Sequence, residues 1–127
     1  MSAKTKNIIG WVLTGLLGLV MIGSAFGKFT ATPESEMGMM YASNGFYDVR
    51  FIVGSLEVLC AVLMLIPRTS TIGTVLTGGY WGGAIATHLS HGQSPAPILA
   101  FVAVLVGIAL LRNPELFSRL LGKETKA

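Results

Sequence analysis

Four long apolar runs separated by short polar breaks organise the chain: Ile8 to Phe29, Phe51 to Ile66, Ile72 to Leu89 and Ile98 to Leu111. None alternates apolar and polar positions as a half-buried strand does, and none carries the polar stripe that a helix in a soluble bundle turns to water. Helices that are apolar on all sides belong in lipid. A bilayer core needs roughly 20 helical residues, and tilt, snorkelling ends or local thinning accommodate shorter runs. The pattern predicts an all-α fold, a four-transmembrane-helix bundle with helices over about residues 8–29, 49–66, 70–90 and 96–112.

Two shorter segments carry helix signals of a different kind. Between Thr30 and Tyr47, Thr32 is placed to act as an N-cap, with Pro33 at the first helical position, Glu34 and Glu36 in the first turn, and Gly45 after Asn44 as a stop. Met37, Met39, Met40 and Tyr41 give this segment a greasy side, which predicts a short outer interfacial helix over about 33–44 lying across the mouth of the bundle. The tail repeats the device with Asn113 as cap, Pro114 next, Glu115 in the first turn and Gly122 as the stop. A C-terminal interfacial helix over about 114–121 is expected to rest on headgroups through Arg119 and Lys123.

Composition agrees: 52% of the 127 residues are hydrophobic, only 12% are charged, and the mean hydropathy is +0.68. Residues 1–127 read as a single integral membrane domain. The first run, preceded by Lys4 and Lys6, is long for the core of a signal peptide and is expected to be retained as a helix. Lys4, Lys6, Arg68, Arg112, Arg119, Lys123 and Lys126 fall on one side of this topology, whereas Lys28 and Arg50 fall on the other. By the positive-inside rule both termini and the Pro67 to Thr71 turn are cytoplasmic, in a multi-pass protein of a bacterial-type inner membrane. The formal net charge of +3 is therefore a topological signal, and with no basic stripe interleaved with aromatics it gives no reason to expect nucleic acid. Cys60 is the only cysteine, so an intrachain disulfide, thiol exchange through a Cys-x-x-Cys pair and cysteine zinc sites are all excluded.

Within this apolar frame the ionisable residues stand out. Glu57 lies inside the second run, where a carboxylate is expensive and needs a partner or a task. Lys28 ends the first helix, Arg50 begins the second, and His88 and His91 end the third, so all of them share the outer half of the bundle. Glu57 is expected to face inward and pair with Lys28 or His88, in a polar pocket lined by Ser24, Tyr80, Trp81 and Thr87 beneath the cap. Two readings of that cluster stay open: a ligand or proton site, and a buried ion pair that fixes helix register. Arg50, and Lys28 taken alone, read as interface anchors, and the His88 and His91 spacing calls for no metal. On the third helix Gly78, Gly79, Gly82 and Gly83 form overlapping small-xxx-small pairs, which predict close approach of a neighbouring helix, with Gly23 and Gly27 as the expected partners, or a second copy of the chain.

The segments Gly23-Ser24-Ala25-Phe26-Gly27-Lys28-Phe29, Gly54-Ser55-Leu56-Glu57-Val58-Leu59, Leu65-Ile66-Pro67-Arg68 and Gly82-Gly83-Ala84-Ile85-Ala86-Thr87-His88 together resemble the DoxX-like family, over about Gly10 to Pro114. That resemblance implies a four-helix membrane bundle with a small outer cap, and links to quinone-dependent oxidoreduction, oxidative-stress complexes and assembly helpers. It carries over Lys28, Glu57, Thr87 and His88 as a polar constellation without an assigned reaction, so no catalytic residue is named. Three functions follow. The first is an accessory or binding subunit whose outer pocket (Lys28, Glu57, Thr87, His88, Trp81, Tyr80) holds a quinone-like or lipidic ligand or a partner protein. The second is the membrane subunit of a quinone-linked oxidoreductase, with Glu57 and His88 relaying protons. Electrons would then come from a redox partner subunit, since the chain carries no recognisable cofactor motif of its own. The third is a small proton-coupled cation exchanger, by analogy with small multidrug resistance transporters that also hold one membrane carboxylate.

Overall fold

Six α-helices and one short 3-10 turn make up the described residues, 1–122, of the computed structural model. They are α1 (Ala3–Thr30), α2 (Glu36–Ser43), α3 (Arg50–Leu65), α4 (Ser70–Ser90), α5 (Ala96–Arg112) and α6 (Pro114–Leu120), with the 3-10 turn at Tyr47–Val49 leading into α3. Lys123 and Lys126, on which the expected orientation partly rests, lie outside the described residues.

The four long helices form a closed ring in which α1 and α4 each pack against α3 and α5. Neighbours run antiparallel. Thr14 near the start of α1 meets Arg112 at the end of α5 (3.1 Å), and Thr71 at the start of α4 meets Asn113 (2.8 Å). The opposite end is closed by α2, tied to the α4–α5 connection where Gln93 reaches Ser43.

The bundle has an apolar core and also an apolar outer surface. The buried stripe of α1 is Gly10, Thr14, Leu17, Gly18, Met21, Ala25 and Lys28, and that of α3 is Gly54, Glu57, Cys60, Ala61 and Met64. On α4 it is Ser70, Gly73, Thr74, Thr77 and Trp81. These positions recur every three or four residues, so each helix does have a distinct face, written in small, hydroxyl-bearing and apolar residues with one buried charge each on α1 and α3. The buried threonines satisfy their hydroxyls within their own helices: Thr14 donates to the Gly10 carbonyl, Thr74 to Ser70 and Thr77 to Gly73, at 2.7 to 2.8 Å. The large apolar side chains Val12, Leu16, Leu19, Phe26, Ile52, Leu59, Ile72, Val75, Leu99 and Leu110 point outward and are exposed. An apolar skin this extensive on one chain needs a nonaqueous surrounding or a partner to cover it.

Two of the four long helices, α3 and α5, are shorter than a full crossing requires. Among the described residues, by length and composition α1 alone is long and apolar enough to cross a membrane, and α5 joins it only if α6 counts as part of the same span, although the two are bent by 104° at Asn113. The 16 residues of α3 reach about 24 Å at 1.5 Å each, against a hydrocarbon core of about 30 Å. In α4 the glycines, threonines, Tyr80, Trp81 and His88 dilute the hydropathy over its 21 residues.

Three sequence expectations about elements are corrected. The cap of α2 is Ser35, not Thr32: its Oγ accepts from the Gly38 amide (3.0 Å) and the Thr32 amide (3.1 Å), while its hydroxyl donates to the Thr32 carbonyl (2.9 Å). Pro33 and Glu34 thus belong to the turn before the helix. The second correction concerns the glycines of α4. A Cβ added at Gly79, Gly82 or Gly83 meets no atom within 4 Å, so these are not points of close helix approach within the chain, and neither is Gly23. The tight contacts lie elsewhere: at Gly73 against the Met64 backbone, Gly38 against the Thr32 carbonyl and Gly54 against the Phe29 ring. Asn113 occupies the start of α6, but its side chain accepts from Thr71 rather than capping the helix.

Candidate functional site

Lys28 and Glu57 are brought together by the inward stripes of α1 and α3. Each lies on its helix in register with the buried small residues, Ala25 three before Lys28 and Gly54 three before Glu57. The Lys28 ammonium donates to Glu57 Oε1 at 2.9 Å and to Ser24 Oγ at 2.8 Å. Both side chains are buried, Lys28 at 6% and Glu57 at 0% exposure, so Lys28 is not an anchor reaching for headgroups. Desolvating two charges costs several kcal/mol each, and the short contact offsets that only because both members are present.

The pair opens into a cavity of about 630 Å³ at the α2 end of the bundle, within the usual size range of small-molecule sites. Its lining includes the six residues singled out from the sequence: Lys28, Glu57, Tyr80, Trp81, Thr87 and His88. Apolar side chains supply most of the wall, with Val20 from α1, Met37 and Met40 from α2, Val53 and Leu56 from α3, and Ile98 and Phe101 from α5. Gly79 and Gly83 also line it, and with no atom near their missing Cβ positions they are what keeps the α4 side hollow.

The residues gathered here differ in what they offer. His88 does not pair with Glu57; its Nδ1 lies 2.9 Å from the Ala84 carbonyl, and because a carbonyl only accepts, Nδ1 carries the hydrogen. Thr87 donates to the Gly83 carbonyl (2.9 Å). Trp81 stacks on Phe101 with centroids 5.2 Å apart and meets the edge of Tyr80. Arg50 stays out of the cavity, holding the Tyr47 carbonyl and lying over the Tyr47 and Phe51 rings. His91 packs its ring against Gly45, whose φ of +78° suits glycine at that stop. Among the described residues no three histidine, cysteine or carboxylate side chains cluster as metal ligands.

Sequence reasoning missed two contributors, Tyr41 and Asn44. With Met37 they fall at intervals of four and three along α2 and its end, the underside of the cap, and that spacing was the available signal. Tyr41 is 2% exposed and its ring lies 5.7 Å below the Lys28 ammonium. Burial, and secondarily the nearby Glu57 charge, hold its phenol above the ordinary tyrosine value, so it remains a protonated hydroxyl. Four buried polar atoms of the lining have no hydrogen-bond partner in the protein: Tyr41 Oη, Asn44 Oδ1, Glu57 Oε2 and Trp81 Nε1.

The DoxX-like family model matches residues 12–111, a span that contains every lining residue of the cavity. No curated protein and no solved structure matches the chain.

Proposed function

The chain belongs to the DoxX-like family and is a membrane protein, and on that premise we propose that it acts as an accessory or binding subunit whose cavity holds a lipidic or quinone-like ligand. The observation that carries this reading is the cavity itself: about 630 Å³, walled by apolar side chains, with the buried Lys28–Glu57 pair and unpartnered polar atoms in its lining. An amphiphile presents the matching surface, a long apolar body and one polar end. The extensive apolar outer surface supports four membrane crossings, with the short α3 and α5 accommodated by local thinning. Lys4, Lys6, Arg68, Arg112 and Arg119 all lie toward the end opposite α2, which supports cytoplasmic termini in an inner membrane and a cavity on the outer side.

A second reading, proton transfer by Glu57 and His88 in a quinone-linked oxidoreductase, draws on their presence in one cavity. Cation exchange is less well supported, because the one carboxylate of the cavity is already engaged by Lys28. Native mass spectrometry of gently extracted protein tests the binding reading. Gly83→Leu fills the cavity without meeting a neighbour at its Cβ, whereas Gly82→Leu adds the same bulk outside the lining. An amphiphile retained by wild type and Gly82→Leu but absent from Gly83→Leu is the expected outcome, and equal retention by all three would place any bound lipid on the outer surface instead.

A further inference from the structure

Four buried polar atoms without partners, on residues that line one cavity, bear on what a ligand has to bring. Glu57 Oε2 and Asn44 Oδ1 accept only, so each calls for a donor. The Trp81 indole donates only, and the Tyr41 hydroxyl has a hydrogen to give, so each calls for an acceptor. All four residues are more than nine-tenths buried. Charge narrows the choice further. Lys28 is the only cation among the lining lysines and arginines and is engaged by Glu57, so the cavity has no surplus positive charge for a phosphate or a fatty-acid carboxylate. A second cation would compete with Lys28 for the same carboxylate. The occupant should therefore be neutral, and its polar end should both donate and accept.

Resting on the binding reading above, we infer that the cavity recognises a neutral lipophile through two hydroxyl groups, the chemistry shared by a dihydroxybenzene head and a glycerol monoester. Two hydroxyls supply two donors, for Glu57 and Asn44, and oxygen lone pairs for Trp81 and Tyr41. A quinone ring has carbonyl oxygens alone and leaves both protein acceptors unpaired, and a dimethoxybenzene fails in the same way. Sites built to hydrogen-bond a hydroxyl discriminate strongly against analogues that lack it, because the buried protein groups stay unsatisfied.

The test uses the full chain in detergent under anaerobic conditions, with ligand-dependent thermal shift and native mass spectrometry as readouts. The probes are 2-decyl-1,4-hydroquinone, 2-decyl-1,4-benzoquinone, the dimethyl ether of the hydroquinone, 1-monodecanoylglycerol and decanoate. At least one dihydroxy probe is expected to bind about tenfold or more tighter than the benzoquinone, the dimethyl ether and decanoate. That preference should vanish in Gly83→Leu and persist in Gly82→Leu. Asn44→Leu, which removes a protein acceptor, should weaken the dihydroxy probes and leave the dimethyl ether unchanged. Which of the hydroquinone and the monoglyceride binds tighter separates a ring head from a glycerol head. Equal binding of the benzoquinone or the ether would overturn the hydroxyl inference while leaving a lipophile site in place. Failure of every probe would overturn both readings and leave a cavity filled by water.

Discussion

Lys28 and Glu57 depend on each other more than on anything else in the bundle. Their contact of 2.9 Å is made with both side chains almost wholly out of solvent, so removing either charge strands the other. Breaking a buried pair from one side typically costs about 3–5 kcal/mol, while replacing both members with apolar groups of similar size is often close to neutral. Glu57→Gln and Lys28→Met are each expected to lower the melting temperature in detergent, and the double variant should regain most of the loss; strictly additive losses would mean that the two do not act as a pair. This pair was partly legible in the sequence. The carboxylate inside an apolar run announced itself, and depth along the helices brought Lys28 and His88 to the same level. What the sequence left open was which of the two would pair. The stripes decide it: Lys28 continues the buried row of Met21 and Ala25, whereas His88 has Ala84 four residues back and spends Nδ1 on that carbonyl. Tyr41 and Asn44 escaped notice for another reason. A cap helix was read for its greasy side, and the two polar groups on its underside matter only once the cavity beneath it is known.

At the scale of elements, glycine does two opposite jobs, and substitution separates them. In α4, a Cβ at Gly79 or Gly82 enters open space, so Gly79→Ala and Gly82→Ala should stabilise the helix by roughly 0.5–1 kcal/mol through reduced backbone freedom. At Gly73 the same change drives a methyl into the Met64 backbone, and Gly73→Ala is expected to lower the melting temperature by forcing α3 and α4 apart. Thermal unfolding of the three variants side by side checks the contrast, and a destabilised Gly82→Ala would show that this face is covered in the assembled protein. Sequence alone could not draw the distinction. A small-xxx-small row marks either close packing or deliberate room, and the row looks identical in both cases. The cap helix offers a second case. Ser35 holds three bonds to the backbone of its own turn, so Ser35→Ala should cost about 1 kcal/mol and fray α2 from its start. Because α2 roofs the cavity, hydrogen exchange of the Gly38 and Met39 amides should rise in that variant while α3 and α4 amides hold their protection. The start was misplaced by three residues from Thr32, since the Thr-Pro-Glu pattern satisfies the general rule for a helix beginning. Only the close approach of Gly38 to the Thr32 carbonyl, which no other residue permits, fixes the actual turn.

For the whole molecule, the all-α architecture and the order of helices were readable because apolar runs and Gly or Pro breaks are local signals. The number of crossings is not local. It depends on whether α3, at 16 residues, and α5, at 17, draw the bilayer thin around themselves, and that is a property of the bundle in lipid. Cys60 makes the question tractable, being the single cysteine of the chain and buried at 7% exposure, so the Cys60→Ala protein gives a thiol-free background with little change in packing. Single cysteines introduced at Ser2, Asp48, Arg68 and Ser94, all exposed and all in the ends or connections of the helices, then report the side of the membrane. With four crossings, a membrane-impermeant thiol reagent applied to intact cells should label Asp48→Cys and Ser94→Cys, while Ser2→Cys and Arg68→Cys react only after lysis. If α1 alone crosses, Asp48→Cys, Arg68→Cys and Ser94→Cys must all react from one side and Ser2→Cys from the other. The two patterns differ at Arg68, which sits between α3 and α4 where the chain either has or has not returned. The same labelling fixes where the cavity opens: it lies at the end shared by Asp48 and Ser94, so a ligand reaches it from whichever compartment those two positions face.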